Sequence, residues 1–332
     1  MFQSFLKQHD AAAWQRTIET LLPAIHEVDR NATQIWFHFF PLELAEAIAE
    51  SDDLAHLALT LRLDGNFRLA DQADSSHWFL YGHRYWPQVK AAIVARAESN
   101  AAPSSLELAA VVREVADDVV RRVLESTTRP TVELVLGIAA VGLMTLQQIG
   151  LDAFRAATAN HGSPKAGHYL QNKTPEQIIA GRKKNDSQGL AGIFRGIRAQ
   201  YTVTFDERRD DARFTVINQQ HLTTASANDR RDYSHELRGT VEGPIPAQCR
   251  TASCGTCWVG VLGGAERLSD VDAHEKKRMK EFGYILTDEP KPVIRLACQA
   301  LASGNVTIVI PPWNGFIGKR KGFRETSAVP RR

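Results

Sequence analysis

Residues 249–257 read CRTASCGTC, and a further cysteine follows in residues 295–299, RLACQ. Cys249, Cys254, Cys257 and Cys298 are all the cysteines of the chain, spaced C-x4-C-x2-C with a distant fourth member. Apart from Arg250, the residues inside the loop are small or hydroxylated: Thr251, Ala252, Ser253, Gly255 and Thr256. Small residues let backbone N–H groups approach a bound group, and Gly255 is free to take a positive φ. A disulfide framework belongs to small secreted domains. Four cysteines gathered at one end of a 332-residue chain, with none before position 249, point instead to a metal centre.

A 2Fe-2S cluster takes four thiolates, two per iron. Three ligands on one short loop can wrap it, and the fourth must come from another part of the chain to close it. Hydrogen bonds to the sulfurs then help set the reduction potential. A zinc site usually shows C-x2-C pairs on both sides. Here there is one such pair and Cys298 stands alone. The spacing favours one 2Fe-2S cluster on Cys249, Cys254, Cys257 and Cys298, with zinc or two disulfides as the alternatives.

The segment QCRTASCGTCWVGVLGGAERLS (residues 248–269), followed by RLACQ, resembles the 2Fe-2S ferredoxin family of the plant type and its adrenodoxin-like relatives. Glu266, Arg267, Leu268, Ser269 and Glu275, with RLACQ, look more like the adrenodoxin-like branch. The resemblance implies a β-grasp fold, a mixed sheet with a helix across it and the cluster near one edge. It also implies that Cys249 and Cys254 ligate the outer iron, and Cys257 and Cys298 the inner one. Three features depart from the family. The 40 residues between Cys257 and Cys298 imply an insertion around Lys276 to Pro290. The segment YSHELRGTVEGPIPAQ (residues 233–248) lacks an uninterrupted helix-then-turn pattern. The third is a long N-terminal region, since the resemblance covers about one third of the chain.

Around the cysteines the pattern is that of strands. YTVTF from Tyr201 and ARFTVI from Ala212 alternate and predict a hairpin across Asp206 to Asp211. TCWVGVL, Pro292 to Leu296 and Val306 to Ile310 predict three more strands, and Asp272 to Phe282 a short charged helix. Upstream the period is helical: Leu106, Leu108, Val111, Val112, Val115, Val119, Val120 and Val123 recur at helical spacing. Leu134 to Ala157 is a long apolar stretch that begins after Pro130 and Thr131, where a helix can start. Asp52 to Leu63 and Gln88 to Glu98 predict shorter helices, and another starts near Thr174 and Pro175. The expected fold class is α plus α/β multidomain, a mainly helical N-terminal domain followed by an α+β ferredoxin domain. The expected boundaries are a helical domain over 1–180, a linker over 181–200, the ferredoxin-like domain over 201–318 and a basic tail over 319–332.

The net charge of +2, with 23% charged residues, does not suggest nucleic-acid binding. The continuous apolar run, Leu134 to Leu146, is shorter than a bilayer span and reads as a buried core helix, so no transmembrane segment is expected. With no signal-peptide pattern at the start, a cytoplasmic location is expected. HWFLYGHRYW (residues 77–86) places His77 and His83 among aromatics; without a metal-type spacing, packing is favoured over a haem or metal ligand. No G-x-G-x-x-G fingerprint, P-loop or flavin-binding half is visible, so no catalytic residue is assigned. The expected activity is one-electron transfer by a dedicated carrier or subunit. Its partners are a donor protein and an acceptor oxidoreductase, the latter docked through the helical domain. A redox sensor, or an enzyme with a second cofactor, is the alternative. Acidic and basic residues nearly balance from Tyr201 to Ala300, which argues against docking by a strong negative patch.

Overall fold

The computed structural model describes residues 1–61, 68–99, 102, 105–123, 130–157, 172–186, 199–234, 242–283 and 289–313. The chain divides into two compact units, one of Met1–Glu50 with Phe67–Glu176 and one of Ser51–Asn66 with Gln177–Arg332.

The first unit is helical. It contains α1 (Phe2–Lys7), α2 (Ala11–Leu21), α3 (Glu27–Phe39) and α4 (Leu42–Ala49). The helix α5 (Leu54–Leu61) groups with the second unit, although the sequence placed it in a helical domain over 1–180. The first unit continues with α6 (Leu69–Gln72), α7 (Trp86–Ser99), α8 (Leu108–Arg122) and α9 (Val132–Ala156). Thr131 is the N-cap of α9, as the sequence expected.

The core of this unit is α9, against which α1, α3, α7 and α8 pack. Its residues from Val135 to Leu146 are buried. At Gly142 the neighbours come so close that an added Cβ would lie 2.6 Å from Ile93 Cδ1. Gly150, at φ 78°, breaks the helical path near the end. The helix is longer than the apolar run alone indicated, because Gln147 and Gln148 continue it. Their amides tie it to the unit: Gln147 accepts from Trp14 Nε1 at 2.6 Å and donates to the His9 carbonyl at 2.8 Å, and Gln148 donates to the Phe40 carbonyl at 2.8 Å. Among the described residues α9 is one helix long and apolar enough to cross a membrane, and 67% of its most apolar window is buried within the protein, as in a core helix.

The aromatic decapeptide is part of the same core. Asp29, fully buried, accepts the N–H groups of Tyr81 and Gly82 at 2.6 and 2.7 Å and so starts the 3-10 turn Tyr81–Tyr85. His77 is also fully buried. Its Nε2 lies 3.1 Å from the Ala73 carbonyl, which fixes that nitrogen as the donor. Its Nδ1 then accepts from His83 Nδ1 at 2.8 Å. The two histidines therefore bond to each other within the aromatic cluster. Burial and the neighbouring His83 hold the His77 imidazole well below its ordinary range, with Lys90 adding to the effect. The unfolded chain thus binds a proton below pH 6.5 that the folded unit refuses. The sign follows: stability is full above the unfolded value and falls as pH drops below it, by up to about 1.4 kcal/mol per pH unit. A urea-unfolding series at pH 5 to 8 should show that slope, and His77→Phe should flatten it.

The second unit holds a mixed five-stranded sheet in the order β2-β1-β7-β4-β5. The strands are β1 (Gln200–Thr204), β2 (Arg213–Ile217), β4 (Trp258–Gly263), β5 (Ile294–Leu296) and β7 (Val306–Val309). The pair β3 (Gln220–His221) and β6 (Leu301–Ala302) forms a small second sheet. β1 and β2 are the expected antiparallel hairpin, with Tyr201 opposite Val216. β1 pairs parallel with β7, and β4 pairs antiparallel with β7 and β5. Burial follows the pleat: in β2, Phe214 and Val216 face the core while Arg213 and Thr215 are exposed. Trp258 to Leu262 on β4 are buried throughout, as a central strand requires.

Among the described residues, three further helices belong to the unit besides α5: α10 (Pro175–Lys183), α11 (Leu222–Asn228) and α12 (Ala273–Glu281). The division between the units falls inside α10, upstream of the linker expected at 181–200. The reason is an anchored helix end. Arg182 pairs with Glu207 at 2.7 Å, both largely buried, and the Arg267 guanidinium donates to the carbonyls of Lys184 at 3.1 Å and of Lys183. Residues 187–198 of the expected linker, residues 284–288 of the expected insertion and the basic tail at 319–332 lie outside the described residues.

Candidate metal centre

The cysteine loop leaves the core just before β4 and returns to it. Cys257 is the residue before β4, and Cys298 follows β5, the neighbour of β4 in the sheet. The Ala297 N–H bonds to the Cys257 carbonyl at 3.0 Å, so the ladder itself brings the two buried cysteines together. Cys249 and Cys254 lie on the outer part of the loop and are half-buried. All four thiols are free.

The loop between them has an unusual backbone. Arg250, Ala252 and Gly255 take φ of 54°, 59° and 71°. Left-handed residues at alternate positions of a short loop can turn successive N–H groups to one side, which makes a concavity for negative charge. The hydrogen bonds show it. The N–H groups of Thr251, Ser253 and Cys254 point to Cys249 Sγ at 3.4, 3.2 and 3.3 Å, and that of Ala252 points to Cys298 Sγ at 3.3 Å. Two side chains add to these. Thr256 Oγ1 is 2.6 Å from Cys254 Sγ, and Gln299 Nε2 is 3.3 Å from Cys298 Sγ. Gly255 is required twice over, by its φ and because an added Cβ would lie 3.0 Å from the Phe282 ring.

The thiols respond to this cradle. Burial pushes the Cys249 thiol up, but the Thr251 and Cys254 N–H groups and the Cys254 thiol outweigh it and bring it down to about 7. A hydrogen bond from Cys257, then the Gln299 amide and the Ala252 N–H, bring Cys298 down to about 6 against its burial. Cys257 moves the other way, held well above its ordinary value by its bond to Cys298 and by burial. The Cys254 thiol thus adds to the donors at Cys249, and the Cys257 thiol to those at Cys298. Among the described residues no three His, Cys, Asp or Glu side chains group around a single metal ion. A binuclear cluster needs four thiolates, two per iron.

Behind the loop lies a buried ion pair. Glu275 on α12 receives Arg295 Nε and Nη2 at 2.9 Å each, and both side chains are 1% exposed. Glu275 also accepts the Leu296 N–H at 2.8 Å, and Arg295 donates to the Ser269 carbonyl at 2.7 Å. This network fixes α12 to β5, the strand that delivers Cys298. Asp272 caps α12 by accepting the Glu275 N–H at 2.7 Å.

A family model described as "2Fe-2S iron-sulfur cluster binding domain" matches residues 216–303. The C-terminal unit therefore carries a 2Fe-2S iron-sulfur cluster binding domain. The match runs from β2 past Cys298 and takes in all four cysteines, while the helical unit is unmatched. No curated protein and no solved structure matches the chain. A domain of this kind binds a 2Fe-2S cluster and supports iron-sulfur electron transfer. The cradle fits such a group: its N–H groups and one hydroxyl converge on sulfur atoms, which carry negative charge when they ligate iron.

The sequence located the cysteines but not everything that serves them. Thr256 and Gln299 stood in the quoted motifs as a small residue and a family marker, with no sign of their bonds to sulfur. The Glu275–Arg295 pair was invisible, because two charged residues 20 apart carry no local signal.

Proposed function

We propose that Cys249, Cys254, Cys257 and Cys298 hold the cluster, the first two on one iron and the last two on the other, and that the chain is a dedicated one-electron carrier or subunit. The observation that carries this reading is a set of four free thiols, three on one loop and one after β5, with loop N–H groups that point at the sulfurs of Cys249 and Cys298. When bound, the cluster supplies a site that takes up and returns a single electron. The chain's residues set where the added charge is best tolerated. Cys249 faces three N–H donors and Cys254 the Thr256 hydroxyl, against two donors at Cys298. The outer pair is also nearer the surface, so electrons enter and leave on its side. The helical unit serves as a docking element for a larger oxidoreductase, and the cytoplasm, which keeps thiols reduced, suits assembly of the centre.

Electron counting tests the carrier reading. Coulometric reduction of the full chain should take up one electron, with one unpaired spin per chain by EPR. Two electrons, or a second redox wave, would contradict it. Tagged full chain should copurify with a redox enzyme if the docking role is right, and recovery of background proteins alone would remove that part. Thr256→Val tests the local assignment. Loss of the hydroxyl donor should lower the reduction potential while the cluster spectrum persists, and Thr256→Ser should stay near native in the same spectroelectrochemical titration.

A further inference from the structure

The helix α12 lies along the cysteine loop, held at both ends. At its start His274 Nε2 bonds to the Thr251 carbonyl at 3.2 Å. Just past its end Phe282 packs on Gly255, between Cys254 and Thr256. Its outer face is therefore the rim of the side on which Cys249 and Cys254 approach the surface. That rim is basic. Lys277 and Lys280 are exposed and Lys276 is half-exposed. The nearby acids are matched in place: Glu281 by Arg278 at 2.6 Å, Glu242 by Arg250 at 2.8 Å and Glu275, buried, by Arg295. Three lysines then stand against the Asp272 carboxylate, which caps the helix.

We propose that this lysine rim is the electron-transfer docking face, and that it fits a redox protein whose own electron-accepting edge is ringed by carboxylates. The proposal rests on the cluster reading above. An encounter between opposite charges raises the association rate and orients the partner, and salt weakens both effects. The formal charge of +2 counts the cysteines as neutral and the thiolate-bound cluster is itself anionic, so the local rim, not the overall field, is the source of steering.

The test uses the full chain, loaded with cluster and reduced anaerobically, mixed in stopped flow with two oxidants. One is ferricyanide, an anion, and the other cytochrome c, whose haem edge is ringed by lysines. As ionic strength rises from low to physiological, the ferricyanide rate should fall by about threefold to tenfold and the cytochrome c rate should rise. Lys277→Glu with Lys280→Glu should reverse both slopes. Lys7→Glu with Arg16→Glu, which makes the same change of net charge on the helical unit, should leave them as they are. The melting curve and cluster absorption of each variant confirm that it is folded and loaded. Native slopes of the opposite sign, or slopes that the control pair moves as much as the rim pair, would overturn the proposal. A chain that takes up no cluster removes the reading beneath it and the proposal with it.

Discussion

Cys298→Ser should yield a folded chain whose cluster is absent or lost within a single purification, with bound iron falling from two atoms per chain toward none. The three loop cysteines lie within nine residues, but the fourth comes from the end of β5. Removing it takes away the thiolate that pairs with Cys257 and receives Ala252 N–H and Gln299. A serine hydroxyl in its place is a poorer ligand for iron than a thiolate. The readout is iron and sulfide per chain beside the visible spectrum, with circular dichroism to show that the sheet persists. Thr251→Ser, a change in the same loop that spares every sulfur, is the control and should keep the cluster. A Cys298→Ser protein with native iron content and potential would refute the ligand assignment.

The largest effect on stability should come from Glu275→Ala. Its carboxylate is 1% exposed and holds Arg295, equally buried, together with the Leu296 N–H. Without it a guanidinium and a backbone donor are left inside the domain with too few acceptors. Breaking a buried pair in this way costs about 3–5 kcal/mol, a large share of the roughly 5–15 kcal/mol that a domain has. Urea unfolding followed by sheet circular dichroism should show the midpoint fall accordingly, and the cluster should be released at lower denaturant than in the native chain. Glu275→Gln keeps the shape and some of the hydrogen bonds and should fall in between. A Glu275→Ala midpoint within about 1 kcal/mol of native would mean that α12 is not held to β5 by this pair.

The parts of the fold that announce themselves locally were legible. Alternation over YTVTF and ARFTVI marks β1 and β2, because one face of each strand must be apolar. Helical spacing of valines marks α8. The cysteine spacing marks the metal centre because ligation needs fixed residue types. What lay beyond reach depends on contacts between distant residues. Nothing around Arg182 shows that Glu207 and Arg267 hold the end of α10 to the sheet, so the sequence began a linker at 181 where the structure has an anchored helix end. Gln147 and Gln148 flank the continuous apolar run, and their tertiary bonds to His9 and Phe40 leave no trace in the sequence. His77 and His83 were readable only as members of an aromatic cluster; their bond to each other depends on how the 3-10 turn folds back.

The central claim is that four cysteines hold one 2Fe-2S cluster, and elemental analysis tests it most directly. The full chain, purified without air, is assayed for iron, acid-labile sulfide and zinc, with its absorption and EPR spectra recorded before and after dithionite. Two irons, two sulfides, bleaching of the visible bands and one spin in the reduced state are the expected result. Zinc in place of iron, or four thiols with no metal after anaerobic reconstitution, would contradict it.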